Sequence, residues 1–172
     1  MTPTWSIRRL HALADAQIAA LADLLIDCVE GGASVSFMQP MTREKAVGFW
    51  HGVARSASKG ERVLLVAEEG GRIAGTVQVL LDMPENQPHR GDVMKMLVHR
   101  SMRKRGIGEL LMRAAEQAAL EHRKSLLVLD TASADAERLY ERCGWQRVGT
   151  IPNYALLPQG GYCDTVYFYK AL

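Results

Sequence analysis

Between Asp92 and Asp130 the sequence carries a pattern that few folds accommodate. Asp92 to Val98 reads as a strand, and Gly106 to His122 holds the clearest helical periodicity in the chain. There Ile107, Leu110, Leu111, Ala114, Ala115 and Ala118 form one apolar stripe, with Glu109, Arg113, Glu116 and Gln117 outside it. Leu126 to Leu129 follows as a continuous apolar run, as expected for a strand covered on both faces. A helix that must bury one face, set between two strands, makes a crossover between parallel neighbours, and such crossovers are right-handed.

The rest of the chain adds hairpins. Ser6 to Leu10 reads as a first strand. Ala12 to Val29 reads as a helix with Leu13, Ala16, Ala20, Leu24 and Val29 on one face, ended by Gly31 and Gly32. Gly31 to Pro40 is a loop. Thr42 is placed to cap a second helix that runs to Ser58, with Lys45 where a capping box would carry Glu. Arg62 to Ala67 and Ile73 to Leu81 form a hairpin across Glu69-Gly70-Gly71. Pro84 to Gly91 is a polar loop. After the crossover come a short helix, Ala134 to Arg142, closed by Gly144, and two strands, Gln146 to Ile151 and Thr165 to Lys170. Hairpins combined with one parallel crossover define a mixed α/β class. A chain of 172 residues without repeats or linkers is expected to be one domain, 1–172.

Composition excludes several functions. No apolar run approaches the roughly 18 residues of a membrane span. Met1 to Ile7 lacks the apolar block of a signal peptide, so the expected compartment is the cytoplasm. Cys28, Cys143 and Cys163 show no metal-binding or disulfide spacing. A net charge of +2 is too mild for a nucleic-acid or membrane partner. The sequence leaves monomer and homodimer open.

The positive charge is local, in Arg100, Arg103, Lys104 and Arg105. Arg103-Lys104-Arg105-Gly106-Ile107-Gly108 follows a strand and opens a helix. A helix N-terminus offers unpaired N–H groups and a partial positive charge, and glycine lets an anion approach the backbone. The segment is built to hold a pyrophosphate. It is not a P-loop, which needs GxxxxGK[ST]. A dinucleotide fingerprint fits Gly106 and Gly108 but meets Leu111 at the third glycine, although Asp130 falls where a ribose-binding acid would.

The strand Met94-Lys95-Met96-Leu97-Val98 followed by this loop resembles the signature of the GCN5-related N-acetyltransferase superfamily. So does Ala136-Glu137-Arg138-Leu139-Tyr140-Glu141-Arg142-Cys143-Gly144-Trp145, where Ser133 replaces a frequent Asn. Residues 31–38, 127–131 and 147–154 resemble the tabtoxin-resistance type. The resemblance implies a mixed, mostly antiparallel sheet flanked by helices and splayed between its fourth and fifth strands. It implies acetyl-CoA in the wedge, with the pantetheine arm on backbone of Met96, Leu97 and Val98. The pyrophosphate would lie on Arg103, Lys104, Arg105, Gly106, Ile107 and Gly108, and Ser133 and Tyr140 would be further cofactor contacts.

Acetyl transfer to an amine needs a proton removed, an oxyanion donor and a stabilised thiolate. Asp92 and Asp130, at two strand ends bordering the wedge, are the candidates to bind the ammonium or take its proton. Tyr140 matches the family tyrosine near the sulfur and is the candidate acid. A backbone N–H in Met96 to Val98 would meet the oxyanion. Ser34 and Phe37, in a loop that borders the acceptor in the resembled type, are candidate substrate contacts; Ser36 belongs with them. The reading is acetylation of a small amine, such as an amino-acid-like toxin or antibiotic. Acetylation of a protein N-terminus or lysine, and acyl-CoA sensing without turnover, are the alternatives. No metal is expected.

Overall fold

The computed structural model describes residues 5–172. The polar opening read against a signal peptide falls partly on residues 1–4, outside that range. The elements are β1 Ser6–Leu10, α1 Asp15–Glu30, α2 Arg43–Ser58, β2 Arg62–Glu69, β3 Arg72–Leu80 and β4 Arg90–Val98. A 3-10 turn, Arg100–Met102, leads to α3 Ile107–Glu121, then β5 Leu126–Thr131, α4 Ala134–Arg142, β6 Gln146–Leu156 and β7 Tyr162–Ala171. The strands form one sheet in the order β1-β2-β3-β4-β5-β7-β6. All neighbours are antiparallel except β4 and β5. The fold is mixed α/β, a mostly antiparallel sheet with four flanking α-helices among the described residues.

Alternation along β2 divides the core. Val63, Leu65 and Ala67 pack with Ile107, Leu111, Met112 and Ala115 of α3. Leu64 and Val66 pack with Leu21, Leu24 and Leu25 of α1 and with Trp50 of α2. Successive strand residues point to opposite faces, so α3 lies on one face and the α1–α2 pair on the other. The Gly70-Gly71 turn has both residues left-handed, φ 57° and 79°, as a two-residue hairpin requires.

Three expectations change. The apolar stripe of α3 excludes Leu110, which is 40% exposed, while Met112 and Ala119 are fully buried. At 100° per residue, Met112 and Ala119 lie beside Leu111 and Ala115 and complete the buried arc. β5 is not covered on both faces: Leu127 and Leu129 are buried, but Val128 is half-buried and Asp130 exposed. Beyond the α1–α2 pair, that face is left open. Strand ends also move outward. β4 starts at Arg90, so Asp92 is its third residue, and β5 ends one residue after Asp130.

Gly75 marks the tightest packing of α3 on the sheet. A Cβ there would lie 2.9 Å from the Leu97 carbonyl oxygen and 3.1 Å from side-chain atoms of both Ile107 and Leu111. Backbone cannot yield as a side-chain tip can. Gly75→Ala is expected to lower unfolding free energy by about 1–3 kcal/mol, read from the midpoint of urea denaturation. An unchanged midpoint would show that α3 shifts without cost.

Candidate active site

The parting of β4 from β5 creates the site. Their ladder holds Arg90–Leu126, Gly91–Leu127 and Asp92–Val128 and then stops. β4 continues to Val98 and β5 to Thr131 with no pairing between them. Backbone N–H and C=O groups in the gap can be satisfied by an extended polar ligand. Met96, Leu97 and Val98 lie on this unpaired length. The Val98 carbonyl is partly engaged: it accepts from Arg103 Nε at 3.2 Å and from the Cys28 thiol at 3.6 Å.

A β-bulge falls on the same stretch. Thr76 opposes Leu97 and Gln78 opposes Met94, so β4 carries one residue more than β3. Lys95 sits in the bulge with a left-handed φ of 52°. For a residue with a Cβ this costs about 1–2 kcal/mol. The surplus residue leaves the ladder, so local backbone groups become available to a ligand.

At the mouth of the gap, Lys104 and Gly106 are both left-handed, φ 60° and 79°, and turn the chain into α3. Gly106 is the N-cap of α3, with no side-chain cap. In α2 Thr42 Oγ1 accepts from Lys45 N and in α4 Ser133 Oγ accepts from Ala136 N, whereas the Ala14 N-cap of α1, like Gly106, offers no side-chain acceptor. The first-turn N–H groups of α3 have no side-chain acceptor and lie beside the parted strands, at the positive end of the helix dipole. A Cβ on Gly106 would meet open space, and Lys104 and Arg105 are exposed beside it. The arrangement fits a pyrophosphate.

Gly108 has another reason. A Cβ there would come within 2.8 Å of Leu139 Cδ2, so this glycine admits α4 rather than an anion. Ile107 is 1% exposed, which leaves its backbone alone for a ligand. The Ser133 oxygen is engaged in capping α4, while its hydroxyl proton is free to donate.

On the face away from α3, a cavity of about 320 Å³ lies where the strands part. Arg90, Asp92, Met94, Val128, Asp130 and Tyr167 line it. Asp92 pairs across the ladder with Val128, and Asp130 lies two residues beyond on the same face. The two carboxylates thus share one cavity, but their surroundings differ. Asp92 forms an ion pair with Arg90, whose Nε also donates to Gln87 Oε1 at 2.7 Å. Asp130 accepts from the neutral Thr165 hydroxyl at 2.6 Å. It forms no ion pair among the described residues. A broader depression of about 750 Å³ lies by Gln39, Pro40 and Pro158. Glu30 is the one ionisable residue lining it, and no residue of β4 or β5 takes part in it.

Tyr140 is 4% exposed and packs between Phe168 and Trp145, with ring centroids at 5.7 and 6.2 Å. Burial pushes its phenol well above the usual range, and Asp130 and then Cys143 push the same way. Tyr140 is thus a core residue, and it stays protonated throughout the neutral range.

The loop after α1 reaches over the cavity side. Ser34 Oγ accepts from the Cys163 thiol at 3.6 Å, and Ser36 Oγ accepts from Lys95 Nζ at 3.0 Å. Phe37 stacks edge-on against Phe49, centroids 5.2 Å apart, and packs on the α1–α2 core. It is partly a packing residue.

Sequence reasoning missed Arg90, Lys95, Thr165 and Tyr167. Lys95 had a signal, a charge inside the apolar run Met94-Lys95-Met96. Tyr167 carried no specific signal; its hydroxyl lies 3.0 Å from that of Tyr154. That hydrogen bond, then burial and the nearby Asp130, push its phenol up to about 12.

The sequence pattern of the acetyltransferase (GNAT) family matches residues 18–145. Solved structures superpose over nearly the whole chain. A ribosomal-protein-alanine N-acetyltransferase from Brucella melitensis has a TM-score of 0.82 and 21% identity, covering 97% of this chain and 99% of that one. The yncA protein of Salmonella typhimurium, solved with its cofactor acetyl-CoA, has a TM-score of 0.78 and 18% identity, covering 98% and 94%. A GCN5-related N-acetyltransferase from Kribbella flavida has a TM-score of 0.76 and 20% identity, covering 98% of each. At these identities the structures carry the fold, and the family match carries membership. The chain belongs to the acetyltransferase (GNAT) family, whose acetyl donor is acetyl-CoA.

Proposed function

We propose that the chain transfers an acetyl group to the primary amine of a small molecule of the amino-acid-like toxin or antibiotic kind, as in the tabtoxin-resistance type. The observation that carries this is the cavity of about 320 Å³ with Asp130 on its wall, in no ion pair among the described residues. A cavity of that size lies at the small end of the range for small-ligand sites. A protein acceptor needs an open groove. Acetylation of a protein N-terminus is the second reading, favoured by the Brucella protein's named activity.

When bound, acetyl-CoA supplies a thioester carbonyl for the amine to attack. Asp130 draws the ammonium in by charge and takes its proton, directly or through water. Asp92 and Arg90 hold each other, so Asp92 shapes the wall. A backbone N–H in Met96 to Val98 would meet the oxygen that gains charge. Tyr140 donates a hydrogen bond toward the sulfur. A cysteine-like thiol titrates near 8.5 and an ordinary phenol near 10. Full transfer of the Tyr140 proton is therefore uphill by at least about 2 kcal/mol, and the hydroxyl stabilises the thiolate by donation rather than by ionising.

Thermal melting tests the donor site. Acetyl-CoA at roughly a hundred times its dissociation constant adds about 2.7 kcal/mol, which for a chain of this size raises Tm by about 5–10 °C. Acetyl-CoA and CoA are expected to do this and NAD is not. A shift with NAD alone would contradict the donor site.

A further inference from the structure

Asp130, on the cavity wall, and Lys95, next in sequence to the lining residue Met94, each form no ion pair among the described residues. Asp130 is held by the neutral Thr165 hydroxyl. Lys95, half-buried in the β4 bulge, donates to the neutral Ser36 hydroxyl, and no carboxylate among the described residues is close enough to form an ion pair with it. Arg90 and Asp92 cancel each other within the same cavity. Arg62, held by Ser56 and Gln78, adds further positive charge on the Lys95 side.

The bulge is what places Lys95 there. A left-handed lysine is a strained choice where glycine would sit without cost. The side chain it presents is also costly. Burial pulls its ammonium below the usual lysine range, Asp130 opposes this from a distance, and Arg62 reinforces it. An unpaired, partly desolvated ammonium is stabilised by an anion brought to it.

We propose that Lys95, with the Ser36 hydroxyl, binds a carboxylate carried by the acceptor itself, so that Asp130 and Lys95 together select zwitterionic small molecules over simple amines. The proposal rests on the small-amine reading above. It names the acceptor's second charged group and the residue that recognises it. Lys95 is a specificity residue here and takes no part in the proton transfer.

The test uses matched pairs, an α-amino acid and the amine left when its carboxyl group is removed, with several side chains. Initial rates are measured at saturating acetyl-CoA for wild type, Lys95→Met and Lys95→Arg. Wild type is expected to favour the amino acid in kcat/KM by about tenfold to a hundredfold, the range of a hydrogen bond to a charged group. Lys95→Met is expected to lose that preference through a raised KM for the amino acid, with the decarboxylated amine changed by less than about twofold. Lys95→Arg retains the preference. If Lys95→Met fails to fold, Lys95→Gly suits the left-handed backbone and replaces it. A wild type without preference in any pair overturns the inference. So does an equal loss on both members of each pair, which would make Lys95 a catalytic group or a loop anchor. Both results leave acetyl transfer to small amines standing. Acetyl-CoA binding with no turnover of any amine overturns the small-amine reading and this inference with it.

Discussion

Asp130→Asn is expected to lower kcat/KM for the amine by about a hundredfold or more, the lower end of what a positioned proton acceptor contributes. The substitution keeps the shape and the hydrogen bond to Thr165, because the amide oxygen still accepts from the hydroxyl. It removes the charge that draws in the ammonium and the group that takes its proton. In the proposed arrangement acetyl-CoA lies along the unpaired stretch of β4 and the N-terminus of α3, away from Asp130, so its dissociation constant is expected to stay within about twofold. Asp92→Asn serves as the comparison. Its carboxylate is held by Arg90, and its loss is expected to cost less than that of Asp130. Equal losses at the two positions would show that the ion pair opens when substrate binds. Unchanged activity in Asp130→Asn would make Asp130 structural.

Tyr140→Phe is expected to lower kcat by about tenfold to a hundredfold, the effect of one hydrogen bond to a developing charge. Stability is expected to hold, since the ring makes the contacts with Phe168 and Trp145 and no hydrogen bond to the hydroxyl forms among the described residues. Stopped-flow or steady-state rates, set beside acetyl-CoA affinity, separate the outcomes. A fall in kcat with affinity intact supports donation to the sulfur. Equal losses in both would show that the hydroxyl helps bind the donor and has no special role in the reaction.

The parts of the site legible in the sequence are those that local chain geometry makes. The loop 103–108 is one strand end, one turn and one helix start, and its basic residues and glycines stand next to one another. The placement of Asp92 and Asp130 on two adjacent strands followed from the crossover between them. What could not be read depends on residues far apart in sequence. Gly108 looks like a phosphate-loop glycine until Leu139, on another helix, is seen to occupy its space. The local exception is Asp92, which looks equivalent to Asp130 until Arg90, two residues before it and read as loop, proves to be the first residue of β4 and pairs with it. Lys95 sits in a one-residue bulge against β3, and its partner Ser36 is 59 residues away. Val128 and Asp130 lie on a face of β5 that its apolar run gave no reason to leave open.

The central claim is that the unpaired stretch of β4 and the N-terminus of α3 hold acetyl-CoA while Asp130 activates a small amine on the other side. The most direct measurement follows free thiol release from acetyl-CoA with each member of an amine panel, alongside mass detection of the acetylated product. The expected result is amine-dependent thiol release, one acetylated amine per thiol, abolished or strongly reduced in Asp130→Asn. Acetyl-CoA binding with no acetylation of any small amine would contradict it. Product formed on a peptide N-terminus or lysine would then point to a protein acceptor, and no product at all to a binding protein that senses acyl-CoA.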